Sequence, residues 1–390
     1  MANTLTGLVP TIYTGLDVVS RELIGFIPNV QRDATAESGA VNQTVRSPIV
    51  PAITLESVTP GATPADSGDQ TISYADVTIT NSKVAPIRWT GEEQLSLRNN
   101  FGQYNKVLAD QFAQAFRAIT NAVEVDLATI AKTRASRAYG TAATTPFGTA
   151  ADLTDLSEIN RILDDNGAPA TDRVMVLSSA ARSKLEGKHS ELFKVNESGD
   201  AGSLLRQRQM RQLMGFTMGY SAGLTQHVKG AATGGLINNA STEAVGQTTL
   251  TLDTITVNTT GYKAGDIITH ASDSTNKYVV NTGLTATSGD IVIGNPGLLV
   301  AAADNDAITV GNSYTPNIAF TRNALVLAAR VPAMPEGGDD ADDVMLVTDP
   351  VSGLTFQVAM YRQYRRVKIE IGLAWGVAGI KSEHVAILLG

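Results

Sequence analysis

Residues 103–137 read QYNKVLADQFAQAFRAITNAVEVDLATIAKTRASR, and this run decides what kind of fold the chain can make. Leu108, Phe112, Phe116, Ile119, Val123, Leu127 and Ile130 recur at steps of three or four residues, the spacing of one helix face. At 1.5 Å per residue such a helix is about 50 Å long. A compact chain of 390 residues has a radius of gyration of only about 21 Å. The helix therefore runs the width of the subunit, as a spine would. Just before it, Thr90 and Glu93 have the spacing of a capping box.

N-terminal to the spine the pattern is not that of a compact domain. Residues 1–40 read as an arm with short apolar clusters, one short helix near Leu16–Ile24 and a small polar stretch at 32–40. Residues 45–58 and 71–83 read as two strands of a long hairpin. Pro48 and Pro51 mark the first as an edge strand, and TPGATPADSGDQ (residues 59–70) is its tip. The apolar phase of the return strand changes between Tyr74 and Val77, which predicts a twist or bulge. A two-stranded ribbon is marginal in water, and ordering its backbone costs roughly 1–2 kcal/mol per residue. The arm and ribbon need another surface, and neighbouring subunits are the favoured one.

C-terminal to the spine, residues 141–150 form a link. Asp155 and Glu158 are expected to cap a helix ending at Asn166-Gly167. RVMVL (residues 173–177) is a buried strand, Ser178 or Ser179 caps a further helix, and 204–214 and 215–220 read as helix and strand. From about residue 230 to 315, Thr, Gly, Asn, Asp and Val dominate in short alternating runs punctuated by turns. That is the pattern of a small all-β barrel or sandwich. Mixed character then resumes with NALVLAAR (323–330), read as buried helix or strand, and three strands near 344–348, 354–362 and 364–373. An all-β segment inside an α+β body reads as an insertion.

Composition narrows the function. Hydrophobic residues make up 43% and charged residues 17%, so the chain is globular, with a surface poor in charge. The formal net charge is −8, the wrong sign for tight general binding to phosphate backbones. Cysteine is absent, which excludes disulfides and thiolate metal sites. The first basic residue is Arg21, and no apolar run approaches the roughly 18 residues of a membrane span. The expectation is a soluble protein made in the cytoplasm, with no membrane partner.

The order of arm, long hairpin, spine helix, α/β unit and returning strands resembles the major capsid (coat) proteins of tailed bacteriophages, of the Hong Kong ninety-seven type. Three phrases carry the likeness: DDNGAPATDRVMVLSSAARSKL (164–185), NIAFTRNALVLAARVPAMP (317–335) and GLAWGVAGIKSEHVAILLG (372–390). They are similar to the family's axial-domain helix–strand–helix, its phrase on re-entering that domain, and its closing segment. The likeness covers essentially the whole chain. Its nearest subgroup is the short-tailed phages whose coat protein carries an inserted β-barrel.

The resemblance implies an α+β tailed-phage capsid fold with an inserted all-β domain. The arm would be 1–40, the extended loop 41–88, and the spine helix with part of the peripheral domain 89–150. The axial domain would be 151–229, the inserted domain 230–316, the axial return 317–338 and the C-terminal peripheral strands 339–390. It further implies a structural subunit, not an enzyme, that assembles into hexamers and pentamers of an icosahedral head located in the virion. Partners would be other copies, a scaffolding protein, a portal, packaged double-stranded DNA by weak contact and a decoration protein, with no cofactor or metal. Some members crosslink subunits through a lysine in the extended loop. Here the first lysine is Lys83, at the ribbon's base, so no such bond is expected. The other structural reading is a tail component or adhesin with the β segment as a binding module.

Chemical signals are sparse. Gly219-Tyr220-Ser221-Ala222-Gly223 matches the G-x-S-x-G elbow of hydrolases. A loop follows it, and a small-residue turn is the preferred reading. His189, His227, His270 and His384 lack helical metal-site spacing and are expected at the surface or its boundary. Asp339, Asp340, Asp342 and Asp343 form an acidic loop without calcium-loop spacing. Arg362, Arg365, Arg366 and Lys368 form a basic cluster beside Tyr361 and Tyr364. Arg362, Arg365 and Arg366 are read as candidate subunit contacts, ahead of a solvated strand face or a DNA contact. For Asp339 and Asp340 a solvated loop is the preferred reading, with a charged contact to a neighbouring subunit or to the inserted domain as the candidate role.

Overall fold

The computed structural model describes residues 9–20, 25–49, 53, 55, 71–99, 104–188, 212–256, 260–349 and 352–390. Helix α1 (Val9–Ser20) leads to a 3₁₀ turn (Ile27–Asn29) and strand β1 (Gln31–Gly39). The helix starts earlier than its apolar clusters suggest, because Pro10 and Gly15 look like breakers. Proline is harmless in a first turn. Gly15 sits where α1 crosses the spine: a Cβ there would stand 2.9 Å from the Ala113 nitrogen. Ile12 and Leu16 are buried on the same face. The expected helical residues 21–24 lie outside the described residues. Residues 32–40, expected as a polar arm, are mostly strand. Backbone pairing with β16 joins β1 to a sheet.

Strands β2 (Thr44–Ile49) and β3 (Ser73–Thr78) form an antiparallel ribbon. Its register runs unbroken from Thr44–Thr78 to Ile49–Ser73, so the expected bulge is absent. Tyr74 is exposed and Val77 buried because they lie on opposite faces by simple alternation. The tip at 59–70 lies outside the described residues. The return strand does not end at Lys83. After residues 79–80 the chain leaves the ribbon and continues as β4 (Asn81–Thr90).

The capping box forms as expected. Thr90 N–H donates to Glu93 Oε2 (2.9 Å) and Glu93 N–H to Thr90 Oγ1 (3.3 Å). These bonds hold the Glu93 carboxyl below its ordinary pKa. The box opens a separate short helix, α2 (Gly91–Asn99), before the spine α3 (Tyr104–Thr133). The spine's 30 residues make it about 45 Å long, and it ends before Arg137, which begins β5 (Arg137–Tyr139).

Helix α4 (Thr154–Asp165) stops at Asn166 and Gly167, the latter at φ +73°. Asp155 does not cap this helix. Its carboxylate accepts from Phe147 N–H (2.7 Å), and Asp152 serves the helix start instead, accepting from Thr154 N–H (2.9 Å). Strand β6 (Arg173–Leu177) and helix α5 (Ser179–Lys188) follow, with Ser178 as the capping residue. In the expected helix 204–214, residues 204–211 lie outside the described residues, and Gln212–Leu213 is strand β7, hairpinned to β8 (Phe216–Tyr220).

The remaining strands are β9 (Leu236–Ile237), β10 (Thr249–Asp253), β11 (Ile267–His270), β12 (Asp273–Thr282), β13 (Gly289–Ile293), β14 (Ile308–Val310), β15 (Pro316–Thr321), β16 (Leu325–Pro332), β17 (Asp343–Thr348), β18 (Thr355–Gln363), β19 (Arg366–Gly379) and β20 (Val385–Leu389). The fold is α+β. One sheet has the order β1-β16-β19-β18-β17, with β4 also on β19. A second runs β7-β8-β6-β15-β20-β5-β12-β13-β10-β9, with β11 on β12 and β14 on β11.

Two segments expected whole are divided between these sheets. In residues 317–338, β15 pairs with β6 and β20, whereas β16 pairs with β1 and β19. In residues 339–390, β17 to β19 stay in the first sheet and β20 crosses to the second, between β15 and β5. Each crossing uses a 3₁₀ turn, Arg322–Ala324 or Ser382–His384. Both flanking strands are apolar on both faces, so sequence alone does not say which sheet each completes. The β-rich insertion has its own core, including Leu250, Leu252, Tyr278, Ile291 and Ile293. It is nevertheless stitched to the body, since β12 pairs with β5.

The spine holds the sheets together. Phe112, Phe116, Val123 and Leu127 share one core with Phe356 and Trp375 of the first sheet and Ile318 and Ile387 of the second. Strand β6 shows why its run is wholly apolar. Val174 and Val176 face this core, while Met175 and Leu177 face a second one under α4 and α5.

Candidate functional site

The basic cluster and the acidic loop meet at one end of the first sheet. Gln363 pairs with Arg366, leaving Tyr364 and Arg365 as a two-residue turn. Arg365 adopts φ +57°, as tight hairpin turns demand. Gly91 N–H donates to Arg365 O (3.1 Å), tying the turn to the start of α2. Tyr364 is 89% exposed, and the Arg365 guanidinium lies 5.9 Å from its ring centre. Between turn and helix opens a cleft of 860 Å³ whose walls include Trp89, Leu95, Arg362, Tyr364, Arg365 and Arg366.

On the other side of the hairpin the acidic loop is anchored within the chain. Tyr361 Oη–H donates to Asp339 Oδ2 (2.6 Å), and Arg362 Nε pairs with Asp342 Oδ2 (2.9 Å). Burial, with the Asp339 bond second, pushes the Tyr361 phenol up to about 12. Lys368 pairs with Glu370 and sits 5.7 Å from the Tyr361 ring centre. An exposed ion pair such as Arg362–Asp342 contributes little stability. Of the five candidate contact residues, Arg365 and Arg366 line the cleft and Asp340 is exposed on the loop. Arg362 lines the cleft too but is paired with Asp342, and Asp339 accepts from Tyr361.

A second cluster was not legible in the sequence. Glu124, on the spine, is buried and accepts from Gly25 N–H (2.6 Å), Phe26 N–H (2.8 Å) and Ile27 N–H (3.2 Å). Burial raises its pKa, opposed by these bonds and by one to Ser221. The carboxylate therefore clasps the segment joining α1 to β1. Phe26 stacks on Phe320 at 5.7 Å. The only sequence signal was position: Glu124 borders the apolar stripe at Val123.

Ser221 is no nucleophile elbow. Its hydroxyl is buried, accepts from Gly223 N–H (3.1 Å) and bonds to Glu124, and an irregular segment rather than a helix follows. The histidines depart from expectation. His227 and His270 are buried, each with an aspartate partner, Asp266 (2.8 Å) and Asp306 (2.9 Å). His384 is buried beside Thr321. His189 lies outside the described residues. Buried imidazoles need polar partners, and these partners come from remote parts of the chain. Lys83 stands in β4 with its ammonium 5.4 Å from the Trp375 ring centre.

No protein-family model matches the chain, and no curated protein matches it. Solved structures do. The chain is similar to "Mycobacterium phage Che8" at 12% identity and TM-score 0.46, over 94% of this chain and 92% of that one. It is similar to the capsid structure of the cyanophage P-SCSP1u at 11% identity and TM-score 0.48, over 92% and 86%. It is also similar to a virus-like particle from Pyrococcus furiosus at 11% identity and TM-score 0.41, over 97% and 96%.

Proposed function

We propose that the chain is a structural shell subunit, the major capsid protein of a tailed phage. Its role is mechanical: copies of itself form hexamers and pentamers of an icosahedral head around double-stranded DNA. Assembly takes place in the host cytoplasm with a scaffolding protein and a portal, and a decoration protein binds the outside. The observation that carries this reading is the ribbon. β2 and β3 pair only with each other among the described residues. The segment carries Ile53, Leu55, Ile72 and Tyr74 at half exposure or more. The ribbon's base rests on the first sheet through Val77, Val326 and Ala328. A two-stranded ribbon is marginal by itself, and repeated contacts between symmetric copies supply a partner surface for its exposed apolar side chains.

Negative-stain microscopy of the purified full chain, alone and co-expressed with a scaffolding protein, tests the reading. Closed shells, tubes or capsomer rings are expected. A stable monomer under both conditions overturns it.

A further inference from the structure

The cleft beside the β18–β19 turn has one wall, helix α2, that is only shallowly covered, with Gln94 and Leu97 half-buried. No residue of α2 is buried among the described residues, and Leu95 is 59% exposed. A helix of nine residues is not stable in water by propensity alone. The capping box contributes only about 1 kcal/mol. The opposite wall is basic: Arg365 and Arg366, beside an Arg362 already paired with Asp342, face the single lining carboxylate of Glu92. That is unusual in a chain of net charge −8, and it asks for an acidic, partly apolar occupant.

Such a surface exists on the same chain. Glu336, Asp339 and Asp340 are exposed on the loop before β17. Beside them, Val344 (40%) and Leu346 (46%) face outward from that strand. The two surfaces lie on opposite sides of one sheet end. Arg366 pairs with Thr90 on the side of the cleft, and Met360 pairs with Asp343 on the side of the loop. The hairpin stands between them, so a chain cannot fill its own cleft with its own loop while Asp342 holds Arg362.

We propose that this cleft receives the acidic loop 336–343 of a second copy of the chain, with Val344 and Leu346 packing near Leu95 and Tyr364. The inference rests on the shell reading and names one of its contacts. Because different surfaces meet, the contact is head-to-tail. Repetition closes it into a ring or extends it as an open chain. Complementary charge sets register and speeds encounter.

Charge exchange in the full chain tests it. Arg365→Glu with Arg366→Glu, and separately Glu336→Lys with Asp340→Lys, each raise the concentration needed for assembly by about tenfold or more. Combining all four brings it back toward wild type. Sedimentation velocity reads assembly, and circular dichroism confirms folding. Assembly unchanged in both reversals overturns the contact, and so does a combined variant as defective as its parents. Should a reversal misfold, Leu95→Ser and Tyr364→Ala, at exposed positions, decide in its place: unchanged assembly overturns the proposal. Aromatic and Arg-rich clefts also suit single-stranded nucleic acid. Oligonucleotide binding lost in Arg365→Glu/Arg366→Glu with assembly intact overturns the protein contact. A wild-type chain that stays monomeric sinks the shell reading itself, whereas shells indifferent to the reversals sink only this contact.

Discussion

Asp126 on the spine accepts a hydrogen bond of 2.8 Å from the indole N–H of Trp375 on β19. Its Oδ2 also accepts from Asn81 Nδ2 at 2.9 Å. Trp375 is fully buried. One carboxylate thus pins the long helix to both strands of the β4–β19 pair, at the point where the ribbon feeds into the sheet.

Asp126→Ala removes that acceptor and orphans a buried indole N–H. The expected loss is about 1–3 kcal/mol, read by urea denaturation of the unassembled subunit. A loss confined to a few tenths would show that the bond is not structural. Trp375→Phe should also destabilise, with sub-additive cost in the double variant, since both act on one bond.

Glu124 gives a pH dependence of defined sign. Burial raises its pKa above the ordinary 4.5, so the folded state holds the proton more tightly than the unfolded state. Its contribution is fully present below pH 4.5 and is lost as pH rises through the raised value. Glu124→Gln removes this slope. The stability difference, wild type minus variant, should therefore fall as pH rises from about 4 to 8. A difference that grows with pH would mean that the three backbone donors outweigh burial.

Ser221→Ala should not be silent. The hydroxyl is buried between Gly223 N–H and Glu124. Its loss should cost about 1 kcal/mol in thermal denaturation. An unchanged melting temperature would show that the serine merely fills space, as the sequence-based reading has it.

Gly376 lies where β19 passes under the ribbon's exit, and a Cβ there would collide with the Thr78 carbonyl oxygen. Gly376→Ala forces backbone apart and should cost roughly 1–3 kcal/mol. A neutral effect would mean that the ribbon is free to lift off the sheet.

Wherever local periodicity or a local cap decides structure, the chain could be read directly. The spine's stripe, the Thr90–Glu93 box, the RVMVL strand and the alternating runs of the insertion all depend on neighbours a few residues apart, and they stand where the pattern places them. The acidic loop and the basic hairpin were legible as charge clusters for the same reason. Tertiary structure decided what depends on distant partners. β1 is a strand because β16 offers a backbone edge, not because its side chains are apolar. β16, Arg330 apart, and β20 both read as apolar runs, and only the packed spine between two sheets assigns each to its own. Glu124, Asp126, His227 and His270 look like ordinary polar residues in the sequence. They became anchors because folding brought hydrogen-bond partners to them from up to 249 residues away. A buried charge is tolerable only once such partners have arrived.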